Sequence, residues 1–183
     1  MQKQQTARAP ELALPVPSLA AMRAALEAEC GPDAAARALR TAGFAAGNAL
    51  YAALNAGAEN QPVDGMNAEV FWKRLVLLFS SRGWGNLSTA QLHPGIGALD
   101  STNWVEAVPE AGAGRPSCHF TTGLLANLLG NAAGAEVAVL EIECRSKGDA
   151  RCRFAFGAPE IMGAVYQYML DGADAERSIA ALG

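Results

Sequence analysis

Charge of either sign is scarce in this 183-residue chain, with 17% of residues charged, 14 lysines and arginines against 18 aspartates and glutamates, and a net charge of −4. The cations are scattered, so there is no basic field to attract a phosphate backbone, and nucleic acid is not an expected partner. Long apolar runs are missing as well. The first twenty residues, "MQKQQTARAPELALPVPSLA", are broken by Pro10, Glu11, Pro15 and Pro17 and lack the core of a signal peptide. They predict a flexible tail over residues 1–16 and a cytoplasmic protein. Thr41 to Ala58 carries no charge but is built of alanine and glycine with Asn48 and Asn55 inside it, too weakly apolar for a membrane span. No internal repeat, no CxxC pair and no glycine-rich dinucleotide loop after a strand is present; "GNAAGAE" precedes a strand instead. Nothing therefore marks a reductant-binding enzyme.

What is present suffices for one core. Apolar residues make up 51% of the chain, and residues 17–183 are expected to form a single domain. Helical patterns run from Pro17 to about Glu29 and, after the Gly31-Pro32-Asp33 break, to about Asn55; "AENQPVDGMN" comes next as a loop. Val70, Phe71, Leu75, Leu78 and Phe79 recur at spacings of three and four, the stripe of an amphipathic helix ending before Gly83. Residues 84–107 predict a meander of short strands. "SCHFTTGLLANLLG" predicts a helix with Ser117 at its cap and Gly130 near its end. "EVAVLEIEC" and "RCRFAF" alternate as a hairpin, and "PEIMGAVYQYML" predicts a last helix. The order indicates an α+β fold with an antiparallel sheet.

The segment "CRSKGDARC", residues 144–152, sets two cysteines at the ends of a charged turn. Alternation puts Cys152, Phe154 and Phe156 on the interior face of their strand and Arg151 and Arg153 on the other. Cys118, His119, Glu141 and Glu143 are further ligand types nearby in chemistry. In a reducing compartment the four cysteines (Cys30, Cys118, Cys144, Cys152) are expected as thiols or ligands rather than disulfides. Zinc takes four such ligands, yet a seven-residue gap is also what an ordinary hairpin gives two unrelated, inert thiols, and the residues alone leave both readings open.

"VAVLEIECRSKGDARCRF" and "CHFTTGLLANLLG" resemble the 4-vinyl reductase domain family, named for a bacteriochlorophyll-synthesis protein and shared with the sensor modules of phenol-responsive transcriptional activators. The resemblance implies a zinc pattern of Cys, 22 residues, Glu, two residues, Cys, seven residues, Cys, a spacing matched by Cys118, Glu141, Cys144 and Cys152. It implies a fold like that of TRAPP vesicle-tethering subunits and haem-based nitric-oxide sensors: helices packed on a twisted antiparallel sheet, dimeric, with a chamber for an apolar ligand. Residues three apart on a regular strand face opposite ways, so Glu141 and Cys144 reach one ion only if the strand bulges near Ile142; otherwise Glu143 takes the role. Three thiolates and a carboxylate around a dication leave a charge of −2, which Arg145, Lys147, Arg151 and Arg153 are placed to offset, unless they form a solvated tip.

Likeness to the bacteriochlorophyll branch suggests a zinc-containing, tetrapyrrole-binding accessory protein that holds or delivers a magnesium porphyrin intermediate to a pigment-synthesis enzyme. A stand-alone sensor of a small hydrophobic or aromatic molecule comes next, and a dimeric interaction module third. Phe44, Tyr51, Phe71, Trp72, Trp84 and Trp104 are candidates to stack on a planar ligand. His93 or His119 would supply an axial nitrogen to magnesium, His93 being preferred because His119 adjoins a zinc ligand. The alanine and glycine surface from Gly43 to Ala56 predicts a homodimer joined through helices.

Overall fold

The computed structural model describes residues 11–56, 63–109 and 114–182. Residues 1–10 of the expected tail, and the first half of the loop before α3, lie outside them. Glu11, inside the expected tail, meets Arg82 at 2.8 Å, and helix α1 begins at Val16.

Among the described residues six helices, α1 (Val16–Cys30), α2 (Pro32–Ala56), α3 (Ala68–Ser80), α4 (His119–Ala133), α5 (Pro159–Leu170) and α6 (Ala175–Ala180), accompany four strands, β1 (Ser88–His93), β2 (Ile96–Ser101), β3 (Ala138–Glu143) and β4 (Cys152–Gly157). Local chemistry explains most boundaries. Prolines open α1, α2 and α5 where no backbone donor is needed. Asn67 caps α3 by accepting the Val70 N–H at 2.9 Å, and Asp174 caps α6 through Arg177 at 2.8 Å. Gly134, at φ 63°, ends α4 in the left-handed conformation, four residues beyond Gly130. The expected meander is a single hairpin, β1–β2, and the short α6 is an addition to the expected elements.

The strands form one antiparallel sheet in the order β1-β2-β4-β3. Leu99, Phe154, Cys144 and Cys152 on one face join a core with Leu75, Phe79, Trp104 and Leu124 to Leu129 from α3, the loop after β2 and α4. Ile96, Ile142 and Ala155 on the other face pack with Met162, Val165 and Ile179 of α5 and α6. The expected α+β class, helices on an antiparallel sheet, is what is found.

Helices α2 and α4 touch backbone to backbone. A Cβ at Gly43 would lie 1.9 Å from the Phe120 carbonyl oxygen, one at Gly123 2.0 Å from the Arg40 oxygen, and one at Gly47 2.6 Å from the Asn127 Cβ. The small residues that suggest a dimer surface are thus used within the chain.

Candidate metal centre

The centre begins with an irregular strand. Glu141 pairs with Phe154 and Glu143 with Arg153, leaving Ile142 as an extra residue on β3. Residues directly opposite in an antiparallel pair share a face, so the bulge reverses the alternation. Glu141 faces the helical core with Phe154, Glu143 faces away with Arg153, and Cys144 comes back to the side of Glu141. The bulge expected near Ile142 is present.

Between the strands, residues Arg145–Lys147 make one 3-10 turn closed by Gly148 at φ 104°. The Cys144 N–H donates to Asp149 Oδ2 at 2.8 Å, and the Lys147 and Asp149 N–H groups return to the Cys144 carbonyl at 2.9 and 3.2 Å. Ser146 is fully buried; its Oγ accepts from the Val108 N–H at 2.7 Å and from Ser117 Oγ at 2.8 Å. Side-chain anchoring therefore seats the tip, which is not merely solvated. Ser117 is engaged there and does not cap α4: the N-cap is Cys118, with no side-chain cap bond.

Cys118, Glu141, Cys144 and Cys152 come together in this space, one potential ligand atom from each lying within 4.8 Å of all the others. The Sγ atoms of Cys118 and Cys152 are 4.0 Å apart, near the roughly 3.8 Å that two sulfurs span across a tetrahedral zinc with Zn–S bonds of about 2.3 Å. Glu141 Oε2 accepts the Cys118 N–H at 2.8 Å. Its Oε1 is buried with no hydrogen-bond partner among the described residues. A buried acceptor without a donor is costly; beside three sulfurs it fits a cation. Backbone N–H groups of Ser117 and Arg145 point at the sulfurs of Cys144 and Cys152, donors that suit thiolates.

Titration points the same way. Burial, then the Cys144 charge, pushes Glu141 up to about 9, and burial, then donation to Cys144, pushes Cys118 well up. Thiol donors on Cys118 and Cys152 hold Cys144 well below the usual thiol range. At Cys152 the Cys118 hydrogen bond lowers the pKa, but donation to Cys144 and burial outweigh it and raise it to about 12. Alone, the cluster carries one thiolate; four anionic ligands need a cation among them.

The expected counter-cations are elsewhere. Arg153 grips Asp100 at 2.7 and 2.6 Å, and Arg151 grips Glu143 at 3.0 and 2.9 Å. Both lie on the opposite sheet face, and Lys147 sits 3.6 Å from Asp149. Two residues that no sequence pattern marks stand nearer α4. Arg23 is only 9% exposed and reaches the Ser117 carbonyl at 3.5 Å. Glu106, 6% exposed, accepts the Phe120 and Thr121 N–H groups at 2.8 Å each and the Thr121 hydroxyl. Burial raises Glu106 to about 7 against those hydrogen bonds and Arg23. Glu106 lies in an ordinary loop sequence with no motif to single it out.

Comparison with known families now has a geometry to meet. Residues 103–158 match the vinyl-4-reductase domain. This segment contains all four clustered residues and Glu106, and the resemblance read from the sequence is thereby found. The whole chain is similar to the crystal structure of the phenol-responsive sensory domain of the transcription activator PoxR with phenol: TM-score 0.65, 16% identity, 94% of this chain and 83% of that one. It is similar also to a vinyl-4-reductase family protein from Methanocaldococcus jannaschii, with TM-score 0.54 and 17% identity over 84% of this chain and 87% of the other. At such identities the likeness is one of fold. Among curated proteins no match is found.

The remaining predicted ligand residues scatter around the vinyl-4-reductase segment. Trp72 and Phe156, ring centroids 5.5 Å apart, line a cleft of about 460 Å³ with Thr89, Gln91, Pro94, Gly95, Gly97 and Gly157. A Cβ on Gly97 would lie 2.3 Å from the Phe156 ring, so only glycine lets that ring lie on the sheet. Phe71 packs edge-on to Trp72 at 4.8 Å. Trp104, 1% exposed, and half-buried Trp84 stack in the core with Phe79 and Phe120, away from the cleft, because Trp104 Nε1 finds a buried partner in Thr121 Oγ1 at 2.8 Å. Phe44 is 52% exposed and borders a second, shallower hollow of about 360 Å³ with Arg40 and Thr122. Tyr51 packs partly buried against the core. His93 Nδ1 accepts the Gly95 N–H at 3.3 Å and belongs to the β1–β2 turn. Burial, with Arg40, Arg115 and Arg23 adding, holds half-buried His119 down to about 4. No described helix is long and apolar enough to cross a membrane.

Proposed function

We propose that this chain is a metal-stabilised binding module for a small, planar, largely apolar ligand, folded around a structural zinc ion. The observation that carries the metal is the partnerless Oε1 of Glu141 among three buried sulfurs. Cys118, Cys144 and Cys152 would supply thiolates and Glu141 a carboxylate. A bound zinc would supply cross-linking alone, since four protein ligands leave no open position for catalysis. The chain's own residues do the rest: the Ile142 bulge aims Glu141 and Cys144, and Ser146 seats the turn.

The ligand reading rests on the Trp72–Phe156 cleft and is supported by the PoxR neighbour, a phenol-responsive sensory domain crystallised with phenol. The cleft volume, about 460 Å³, falls in the lower part of the roughly 300–1,000 Å³ usual for small-molecule sites. One or two fused rings would lie on the glycine floor against Trp72. The magnesium tetrapyrrole reading, with delivery to a pigment-synthesis enzyme, takes the same cleft, favoured by its flat floor and its opening to solvent; a macrocycle would extend past Pro94. Fluorescence titration with phenol and absorbance titration with magnesium protoporphyrin separate the two. Saturable quenching by phenol with an unchanged pigment spectrum supports the small-ligand module, a shifted pigment spectrum supports the carrier, and silence in both removes the cleft as a ligand site. Elemental analysis showing no stoichiometric metal would remove the zinc. The single domain over 17–183, the homodimer and the cytoplasmic location belong to this reading as well, and sedimentation tests the dimer.

A further inference from the structure

Helix α4 starts without its own acceptors, since the first N–H groups of a helix have no intrahelical partner. Here two carboxylates from distant segments supply them. Glu141 of β3 takes the Cys118 N–H, and Glu106 of the loop after β2 takes those of Phe120 and Thr121. The Glu106 loop is tied in turn to the metal hairpin, the Val108 N–H donating to Ser146 Oγ at 2.7 Å while Ser146 also meets Ser117 at 2.8 Å. A closed circuit of hydrogen bonds thus runs from the hairpin tip through the Glu106 loop to the first turn of α4 and back to Cys118.

We propose that Glu106 is a positioning residue of the metal centre: by holding the first turn of α4 it sets where the Cys118 sulfur stands relative to Glu141, Cys144 and Cys152. Glu141 has to divide its two oxygens between a backbone donor and the ion. It does both only while the helix start stays at a fixed distance from β3, and the second carboxylate fixes that distance. The inference rests on the zinc reading above and adds a residue outside the matched cysteine and glutamate spacing.

The test titrates the full chain and its Glu106→Gln, Glu106→Ala and Thr121→Val variants with zinc against a chromophoric chelator. Cobalt(II) titration runs in parallel, its thiolate charge-transfer and d–d bands reporting the ligand geometry. Folded Glu106 variants are expected to bind zinc about 10–100-fold more weakly, the usual cost of losing a group that orients a ligand, with displaced cobalt d–d bands. Thr121→Val keeps both backbone donors and removes the hydroxyl, so its loss should be smaller. Wild-type zinc affinity and cobalt bands in Glu106→Ala overturn the proposal. If that variant does not fold, Thr121→Val decides: shifted d–d bands support the positioning role and unchanged bands overturn it. Wild-type protein that takes up neither metal brings down the zinc reading, and this inference with it.

Discussion

The two hairpins of the sheet carry the same defect to opposite ends. In β3 the extra residue is Ile142 and in β1 it is Leu92, because Gln91 pairs with Gly97 while His93 pairs with Ile96. Each extra residue is apolar and packs toward α5 and α6, and each reverses the alternation of the residues after it. In β3 the reversal brings Cys144 round to Glu141. In β1 it turns His93, which simple alternation would place beside Thr89 and Gln91 on the cleft, toward the face of Ile96. One bulge assembles a site and the other removes a residue from one. A ligand inventory from spacing alone therefore succeeds only where the parity of the strand is known.

That contrast can be broken from the metal side first. Replacing Cys144 or Cys152 with serine should abolish stoichiometric zinc and cost about 4 kcal/mol, roughly a 10 °C fall in melting midpoint for a chain of this length. An unchanged midpoint in both variants would mean inert thiols. Removing Ile142 should restore plain alternation and turn Cys144 away from Glu141, lowering zinc affinity by more than about 100-fold while far-ultraviolet circular dichroism stays that of the wild type. Retained affinity after this deletion would show that the bulge does not aim the ligands.

Glu106 sharpens the comparison through pH. Its folded pKa of about 7 is raised from 4.5, so the folded state binds that proton more tightly. The stabilisation is fully present below the unfolded value and is lost as pH rises through about 7. Wild-type protein should gain about 2 kcal/mol relative to Glu106→Gln between pH 7.5 and pH 5, measured by denaturant melts at both pH values. Metal release at low pH affects both proteins and drops out of the difference; a flat difference would contradict the shift.

Changes around the β1 hairpin should be smaller. Trp72→Ala should weaken binding of a ring-shaped ligand about tenfold, in line with the worth of an aromatic contact and its area, as read by isothermal titration. His93→Ala should leave that affinity within about twofold and cost roughly 0.5–1 kcal/mol through the lost turn hydrogen bond. A large loss of ligand affinity in His93→Ala would show that the β1 bulge does not withdraw the imidazole.

Much of this is legible in the chain. The five longer helices follow from apolar periodicity and from punctuation such as Gly31-Pro32 and Pro159, and the β3–β4 hairpin from alternation about "RSKGDA". The spacing of Cys118, Glu141, Cys144 and Cys152, once the family resemblance supplies its pattern, names the residues that the fold gathers, and the three-residue step from Glu141 to Cys144 demands the bulge that β3 contains. These are local or counted features, and a sequence states them directly. Only the tertiary structure assigned the shared residue types to their partners. Arg151 and Arg153 found Asp100 and Glu143 instead of the metal centre, Trp104 found Thr121 instead of a ligand, and Gly43 met Phe120 instead of a second chain. Glu106 and Ser146 gained their places from segments more than ten residues away. Such choices depend on which donors and acceptors burial brings together, and no periodicity along the chain encodes that.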